Sequence, residues 1–262
     1  MTKLPAAIDV AAISDTGRVR EHNEDAVWLG DRFFRSGLQT SRFEGDEVER
    51  LVLAVADGVG GAAAGEVASR FVAERMAARL AAADAPETFE ELEEFVQAVA
   101  AEVNASLEAE ASTDPERAGM ATTYTGLFLT SAACVWMNAG DSRVYALRDG
   151  VLRQLNVDHT LRQELNDPSI PGNIITNCYG HQDGFRMDVG SVDLEDADLY
   201  IVCSDGLSDY ADMERATEIL ARAAVDGDPE RLADAAEQLL DLALSGGGGD
   251  NVSFLIARPT YA

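Results

Sequence analysis

The sequence predicts an α+β fold in which the sheets are largely antiparallel. Helical periodicity is concentrated in two regions, 66–111 and 211–245, and strand-like apolar runs surround both of them. In the middle of the chain, tight turns such as Asp149-Gly150 separate successive strand-like runs, and such short connections join antiparallel neighbours. Two helices in each cluster beside a mostly antiparallel sheet system are typical of the α+β class.

The composition indicates a folded protein with an acidic surface. The chain has 262 residues, 47% of them hydrophobic, which is enough for a large core and argues against overall disorder. With 20 lysine and arginine residues against 47 aspartate and glutamate residues, the net charge is −27, which disfavours binding to nucleic acid or anionic membranes. The odd number of cysteines, 3, predicts reduced thiols and a cytoplasmic protein. The sequence shows neither a signal-peptide pattern nor an apolar stretch of membrane-span length.

The first 50 residues predict a strand, a polar segment and a loop. Residues 8–16 have strand composition, and the charged residues 20–25 follow them between apolar ends. Charged groups that interrupt a buried strand are costly without partners, so this segment is either a polar site or an exposed turn. Residues 35–50 are polar and aperiodic, and we expect an exposed loop or hairpin tip there.

Residues 51–56 form a run of six apolar residues with the length and composition of a buried strand. The run ends at Asp57, which is followed by Gly58. A carboxylate at the end of a buried strand is held rigidly, and a glycine beside it lets backbone or ligand approach closely. The alternative is an ordinary Asp-Gly turn with no role in binding.

Two helices follow this central strand, and a meander of strands comes after them. Residues 66–83 have apolar positions every four residues, and a capping box at Thr88 begins a second helix that ends before Asp114. The predicted strands of the meander are 120–129, 133–138 and 144–148. Residues 156–190 are irregular, and the last helix begins at Asp228, with proline at its first position.

Two more aspartates stand at the ends of strand-like runs. Asp205 follows the apolar run 199–204, and Asp250 precedes the run 252–257. If these strands are neighbours of the central strand, three carboxylates converge, and they repel one another and take up protons unless a cation lies among them. Oxygen ligands suit Mg²⁺, Mn²⁺ or Ca²⁺, and no cysteine or histidine spacing indicates zinc. The glycine-rich residues 245–249 are either a flexible linker or, as we interpret them, a backbone crossing close to this crowded site.

Seven motifs, taken together and in this order, resemble the protein phosphatase 2C family of metal-dependent Ser/Thr phosphatases in its compact bacterial form. They are SDTGRVREHNEDA (14–26), VADGVGGAAAGEVAS (55–69), MATTYTG (120–126), AGDSRVYALRDG (139–150), QLNVDHT (154–160), IVCSDGLSD (201–209) and GGGGDNVSF (246–254). The resemblance covers essentially the whole chain. It implies a four-layer α-β-β-α sandwich, with two antiparallel sheets flanked by helix pairs. It also implies a single catalytic domain over residues 1–262, with a shortened flap segment around 160–185.

The resemblance further implies a centre of two divalent cations, Mn²⁺ or Mg²⁺, with a third in some relatives. The residues that match its direct metal ligands are Asp57, which bridges both cations, Gly58 through its carbonyl, Asp205 and Asp250. Glu24 and Asp25 match residues that act near the metals, mainly through water, and Arg20 matches the residue that binds the substrate phosphate. Asp141 matches a third-metal position, although an ordinary turn also explains an aspartate there.

The implied activity is hydrolysis of phosphoserine and phosphothreonine in proteins, in which a metal-bridging water attacks phosphorus. Phosphoproteins and a Hanks-type kinase are the implied partners in bacterial signalling, and with no sign of oligomerisation we expect a monomer. One alternative is a non-catalytic, phosphoprotein-binding regulator with the same fold, which the complete ligand set disfavours. A metal nuclease conflicts with the acidic surface, and a purely structural cation site leaves Arg20 unexplained.

The sequence departs from the family pattern at several positions. Ala121 stands where glycine is usual, Val59 where some members have histidine, and Asn177 where arginine is common in the flap. These departures leave substrate choice and third-metal behaviour open. The chain's histidines, which we expect to be structural or exposed rather than catalytic, are His22, His159 and His181.

Overall fold

Two six-stranded antiparallel sheets lie face to face, and a pair of helices covers the outer face of each. This arrangement, seen in a computed structural model, confirms the predicted α+β sandwich. The structure describes residues 4–59, 64–82, 86, 88–131, 133–181, 184–194, 198–225 and 228–261. The glycines and alanines at 60–63 of the second motif, and Ala83 at the predicted end of the first helix, lie outside the described residues.

The strands are, in chain order, β1 (Ala7–Asp15), β2 (Ala26–Leu29), β3 (Arg32–Phe34), β4 (Gly37–Glu44), β5 (Val52–Ala56), β6 (Gly58–Val59), β7 (Ala121–Thr122), β8 (Tyr124–Leu129), β9 (Cys134–Ala139), β10 (Arg143–Arg148), β11 (Val151–Gln154), β12 (Asp188–Val192), β13 (Leu199–Cys203) and β14 (Val252–Thr260). The first sheet has the spatial order β11-β10-β13-β14-β1-β4, and the second has β12-β9-β8-β5-β2-β3. Strands β6 and β7 form a separate two-stranded ribbon.

The α-helices are α1 (Gly65–Ala82), α2 (Phe89–Ala111), α3 (Leu161–Glu164), α4 (Asp205–Ser208), α5 (Met213–Ala224) and α6 (Pro229–Ser245). Short 3-10 turns cover Gly45–Arg50 and Pro115–Arg117. The predicted caps are present: the Thr88 hydroxyl accepts from the Glu91 N–H, and the Asp228 carboxylate accepts from the Glu230 N–H. Among the described residues, no helix combines the length and the apolar character that a membrane span needs.

Three hydrophobic layers hold the four structural layers together. One lies between the two sheets, one between the second sheet and α1 and α2, and one between the first sheet and α5 and α6. In β5, Val52 and Ala54 face the helices, whereas Leu53 and Val55 face the other sheet. Both faces of β5 are covered, which explains why its sequence is apolar at every position rather than alternating.

Strands β1 and β14 run antiparallel along their full length as neighbours inside the first sheet. Ala7 pairs with Thr260 at one end, and Asp15 pairs with Val252 at the other. Because β14 also pairs with β13, the carboxyl end of β13 lies beside the amino end of β14. The residues that follow Cys203 and precede Val252 are therefore brought to one edge of the sandwich.

The prediction of a loop over residues 35–50 was wrong. Strand β4 forms the edge of the first sheet and pairs with β1 from Gly37 to Glu44. Most of its side chains point to solvent and only Phe43 is buried, so the strand carries almost none of the apolar alternation that marks a half-buried strand. Within the segment predicted to be irregular, 156–190, the structure adds the short helix α3 and the start of β12.

Candidate active site

A cavity of about 200 Å³ opens at the edge where β5, β13 and β14 meet. Its lining includes seven of the eight predicted site residues, namely Arg20, Glu24, Asp57, Gly58, Asp141, Asp205 and Asp250. The eighth, Asp25, is fully buried and is coupled electrostatically to Asp57 and Asp205. The other lining residues are Val59, Asn173, Ile175 and Asn251.

This cavity is distinguished by its chemistry rather than by its size. A larger cavity, of about 690 Å³, lies beside β11. There the carboxylates Asp149 and Asp193 are accompanied by Arg148 and Arg153, so the lining charges balance. The smaller cavity instead gathers carboxylates around one arginine, which is the composition of a cation site.

The backbone of Asp57 is clamped by two threonines of the 120–126 motif. The Asp57 N–H donates to the Thr123 hydroxyl at 3.0 Å. The Asp57 carbonyl accepts from the Thr123 N–H and from the Thr122 hydroxyl, both at 2.8 Å. These bonds hold the end of β5 against the β7–β8 turn, so the Asp57 carboxylate has a defined position.

Gly58 is required because two segments of backbone approach it closely. A Cβ atom at this position would lie 2.5 Å from the Gly65 carbonyl oxygen and 2.9 Å from the Glu24 carbonyl oxygen. Any larger residue would push the start of α1 away from the site. The glycine therefore brings β6, the start of α1 and the 16–25 loop together at the cavity.

Asp205 and Asp250 come from adjacent strand ends. Asp205 is the first residue of α4, directly after β13, and Asp250 lies just before β14. The two loops touch at the backbone, since a Cβ at Gly206 would lie 1.8 Å from the Asn251 carbonyl oxygen. One oxygen of Asp250 accepts from the Asn251 N–H, and the other accepts from Arg20 Nη2 at 2.7 Å.

The glycine-rich segment before Asp250 is a tight crossing, as predicted, and not a free linker. A Cβ at Gly246 would lie 1.8 Å from the Tyr210 carbonyl oxygen, and one at Gly249 would lie 2.3 Å from the Tyr210 hydroxyl oxygen. The Gly248 carbonyl accepts from the Arg18 N–H at 2.8 Å. The segment therefore packs closely between Tyr210 and the 16–25 loop.

The 16–25 loop, which supplies Arg20, Glu24 and Asp25, is fixed by the side chain of Asn251. Asn251 Oδ1 accepts from the Glu24 N–H at 2.8 Å, and Nδ2 donates to the carbonyls of Thr16 and His22 at 2.9 and 3.0 Å. The charged segment thus has both predicted characters: residues 20–22 are an exposed turn, whereas residues 23–25 are buried or half-buried beside the cavity. Arg20 itself is 47% exposed at the rim.

Five carboxyl groups at the site, those of Glu24, Asp25, Asp57, Asp141 and Asp205, have raised pKa values. Burial, reinforced by Asp25 and Asp205, holds the pKa of Asp57 well above its ordinary value. Burial and neighbouring carboxylates raise the pKa of Asp25 and of Asp141 to about 7, and that of Asp205 to about 6. Burial also raises the pKa of Glu24. Burial is the main cause of these raised pKa values, and the repulsion predicted for carboxylates gathered without a cation adds to it.

Buried oxygens without donors support the same interpretation. Within the described residues, one carboxylate oxygen each of Asp25, Asp141 and Asp205 is buried and meets no hydrogen-bond partner. Leaving such an oxygen unpaired costs about 1–3 kcal/mol, and a divalent cation would satisfy it. The donor set, all oxygen, suits Mg²⁺ or Mn²⁺.

The carboxylates of the cavity nevertheless do not yet surround a common metal position. In the described part of the chain, no three acidic, histidine or cysteine side chains form a group that could already hold a metal ion. Asp250 in particular is engaged by Arg20. The residues therefore fit a divalent cation in donor type, burial and charge.

Sequence reasoning missed the residues that position these groups. Ser204 donates to Asp25 Oδ2 at 2.9 Å, and Arg35 donates to the Asp25 carbonyl at 2.7 Å. Asn251, Thr122 and Ser204 lie inside motifs, where their polar side chains in apolar surroundings could have indicated a role. Arg35 lies outside every motif and offers no such signal.

The chain matches one protein-family model and is similar to named bacterial proteins. A family model described as Protein phosphatase 2C matches residues 41–242. The chain is 34% identical, over 98% of its length, to serine/threonine protein phosphatase PstP of Mycobacterium tuberculosis, of which it covers 46%. It is 31% identical, over 94% of its length, to serine/threonine phosphatase stp of Listeria innocua, of which it covers 93%. The chain thus spans about half of PstP and nearly all of stp.

Solved structures share the fold. Serine/threonine phosphatase Stp1 of Staphylococcus aureus superposes with a TM-score of 0.81 at 28% identity, over 98% of this chain and 97% of that one. The catalytic domain of PstP in complex with two manganese ions gives a TM-score of 0.73 at 31% identity, over 97% of this chain and 99% of that one.

Proposed function

The chain belongs to the protein phosphatase 2C family, and from that membership we propose that it hydrolyses phosphoserine and phosphothreonine in proteins with the help of bound divalent cations. The observation that carries the proposal is the cavity in which Asp141, which is buried, and Asp57 and Asp205, which are half-buried, lie beside Arg20 with little other positive charge. The structure of the PstP catalytic domain contains two manganese ions, which supports Mn²⁺ or Mg²⁺ as the cations of the proposed reaction.

The proposed metal ligands are the residues at the strand ends, namely Asp57, the Gly58 carbonyl, Asp205 and Asp250. Glu24 and Asp25 would act mainly through water, and Asp141 would serve a third cation. When bound, divalent cations lower the pKa of water for attack on phosphorus and offset the charge of the phosphate. In a protein of net charge −27, that local positive charge is needed before a phosphate dianion can enter.

Arg20 is the proposed phosphate-binding residue. Its planar guanidinium can donate two parallel hydrogen bonds to phosphate oxygens, and its position at the cavity rim leaves it accessible to substrate. The hydrogen bond from Arg20 to Asp250 raises the pKa of the guanidinium and holds it at the cavity. A cation bound by Asp250 would compete with that ion pair, so Arg20 would be released toward the phosphate.

We further propose that residues 1–262 form one catalytic domain, with residues 160–185 as its flap segment. Asn173 and Ile175 of this segment line the cavity, which supports a role beside the substrate. We expect phosphoproteins, and a Hanks-type kinase that phosphorylates them, as partners of a monomer in the cytoplasm. The three cysteines are free and buried, which agrees with a reducing compartment.

The test is hydrolysis of an aryl phosphate and of a phosphothreonine peptide by chelator-treated protein, with Mn²⁺ added back in steps. We compare wild type with Asp57→Ala and with Glu94→Ala, which removes an exposed carboxylate on α2. Turnover should depend on Mn²⁺, fall on the order of 1,000-fold in Asp57→Ala and stay unchanged in the control.

The absence of turnover at every Mn²⁺ concentration, from wild-type protein with native circular dichroism, would overturn the enzymatic proposal. Phosphopeptide binding would then be measured, because the remaining hypothesis is a non-catalytic regulator with the same fold.

A further inference from the structure

His159 is a buried side chain that the catalytic proposal does not use. It lies between β11 and α3, and only 2% of its surface is exposed. Its Nδ1 atom is 3.2 Å from the Gly140 nitrogen and 2.7 Å from Asn177 Nδ2, and its Nε2 atom is 2.9 Å from Asp188 Oδ2. Both ring nitrogens therefore have hydrogen-bond partners: Gly140 and Asn177 for Nδ1, and Asp188 for Nε2.

These contacts define which nitrogen carries the proton. The Gly140 N–H can only donate, so Nδ1 must accept. The amide of Asn177 is oriented by Arg186, whose N–H donates to Asn177 Oδ1 at 3.0 Å, so Asn177 Nδ2 also donates to Nδ1. The proton then lies on Nε2 and is donated to Asp188. His159 is thus held as one neutral tautomer by three neighbouring segments.

The ring joins the turn that carries Asp141 to the flap segment. The main chain strengthens the same connection, because the His159 N–H donates to the Gly140 carbonyl and the Thr176 N–H donates to the His159 carbonyl, both at 2.9 Å. Gly140 cannot shift freely, since a Cβ there would lie 2.6 Å from the Thr123 side chain. A displacement of the flap segment at Asn177 is therefore transmitted to the residue next to Asp141.

Both sides of this connection reach the catalytic cavity. Asp141 lines it from the turn after β9, and Ile175 lines it from the flap segment, two residues before Asn177. Nδ1 of His159 accepts from both sides, that is, from the Gly140 N–H and from Asn177 Nδ2. Loss of that acceptor would leave the Gly140 N–H and one of the two N–H bonds of Asn177 Nδ2 without a partner, although the other still donates to the Arg186 carbonyl. Loss of the Nε2 donor would affect only Asp188, which is at the start of β12.

We propose that His159 is a positioning residue that aligns the flap segment with Asp141 through its Nδ1 acceptor, and so sets substrate and third-metal affinity. The inference rests on the proposed function, because it concerns the same cavity. It assigns no proton transfer to His159, because the ring nitrogens bond to Gly140, Asn177 and Asp188, which do not line the cavity.

Two substitutions separate the two ring nitrogens. His159→Asn places an amide oxygen near the position of Nδ1, whereas His159→Gln places an amide near the position of Nε2. We expect His159→Asn to keep KM for a phosphothreonine peptide, and the Mn²⁺ concentration at half-maximal rate, within about threefold of wild type. We expect His159→Gln to raise both by about tenfold or more, since the Gly140 N–H and one N–H of Asn177 Nδ2 lose their acceptor.

Hydrogen exchange provides a readout that needs no activity. Exchange at residues 173–179, followed by mass spectrometry on the whole chain, should be faster in His159→Gln and close to wild type in His159→Asn. His181→Asn is the matched control, because His181 lies in the same segment and its Nδ1 atom meets no partner among the described residues.

Equal KM, metal requirement and exchange in both His159 variants would overturn the inference. So would an equal loss of kcat and of thermal stability in both, because that result describes a purely structural histidine. If wild type is itself inactive, the proposed function fails, and the exchange comparison still decides whether Nδ1 aligns the two segments.

Discussion

Among the described residues, aspartates are buried at two places, and arginines balance their charge at only one of them. Asp9 on β1 is 2% exposed and lies between Arg42 on β4 and Arg258 on β14, its direct register partners on either side. The carboxylate is 2.8 Å from Arg42 and 3.1 Å from Arg258. Arg258 also donates to the carbonyls of Ala223 and Asp228, so the same cluster joins the end of α5 to the start of α6.

The cavity lined by Arg20 and Asp57 gathers more carboxylates with less positive charge. Asp25, Asp57, Asp141 and Asp205 are gathered there, and Arg20, the arginine in the cavity lining, is itself engaged by Asp250. Their pKa values are raised, whereas Asp9 is matched by two guanidinium groups. The fold balances the charge of Asp9 with two arginines but leaves the cavity carboxylates without matching positive charge. The unbalanced negative charge therefore indicates that the cavity binds a cation.

The largest expected effect comes from breaking the compensated cluster. Arg258→Met leaves Asp9 buried with a single, half-exposed partner, Arg42, and removes the clamp between α5 and α6. We expect the free energy of unfolding, measured in urea, to fall by about 3–5 kcal/mol. The double variant Asp9→Leu/Arg258→Met should lose less than the single one, and an equal or greater loss would contradict this account.

The second effect comes from supplying the charge that the cavity lacks. Mn²⁺ at 100 times its dissociation constant should stabilise the chelator-treated protein by about 2.7 kcal/mol, since it binds the folded state. Differential scanning calorimetry with and without Mn²⁺ measures this gain. Asp57→Ala should abolish it, whereas Arg258→Met should keep most of it, because the second substitution is far from the cavity. Equal gains in both variants would show that the ions bind elsewhere.

The smallest effect concerns pH in the metal-free protein. Because the folded-state pKa of Asp141 is raised to about 7, the folded state binds more protons than the unfolded state between about pH 4 and pH 7. Stability due to this group is therefore present at low pH and is lost as the pH rises through 7. Asp141→Asn should remove this part of the pH dependence, about 2 kcal/mol, in urea titrations between pH 5 and pH 8. Parallel pH curves for wild type and variant would contradict the assignment.

The strand-end carboxylates could be predicted because their signal is local. An apolar run that stops at Asp57 or Asp205 is visible in the linear sequence, and burial of the run on both faces places the aspartate at a sheet edge. The layer order and the pairing of distant strands came from the family resemblance rather than from periodicity. Strand β4 was missed because an exposed edge strand carries little hydrophobic patterning.

The partners of these carboxylates could not be predicted from the residues alone. Arg20 and Asp250 are 230 residues apart in the chain, and Asn251 and Glu24 are 227 apart. Asp9 lies in an apolar strand whose composition gives no sign of Arg42 and Arg258, because cross-strand partners depend on register. Long-range contacts of this kind follow from the assembled sheet and not from any single segment.

The pairing of β1 with β14 has a practical consequence for protein engineering. Ala7 and Thr260 pair at one end of the strands, and Asp15 and Val252 pair at the other, next to the cavity. Nine residues of extended chain separate the two ends by about 27 Å. A fluorescent reporter or surface tether attached beyond Ala7 or Thr260 would therefore leave the molecule on the side away from the cavity. The two positions are also close enough for a short peptide to join them in a circular permutant.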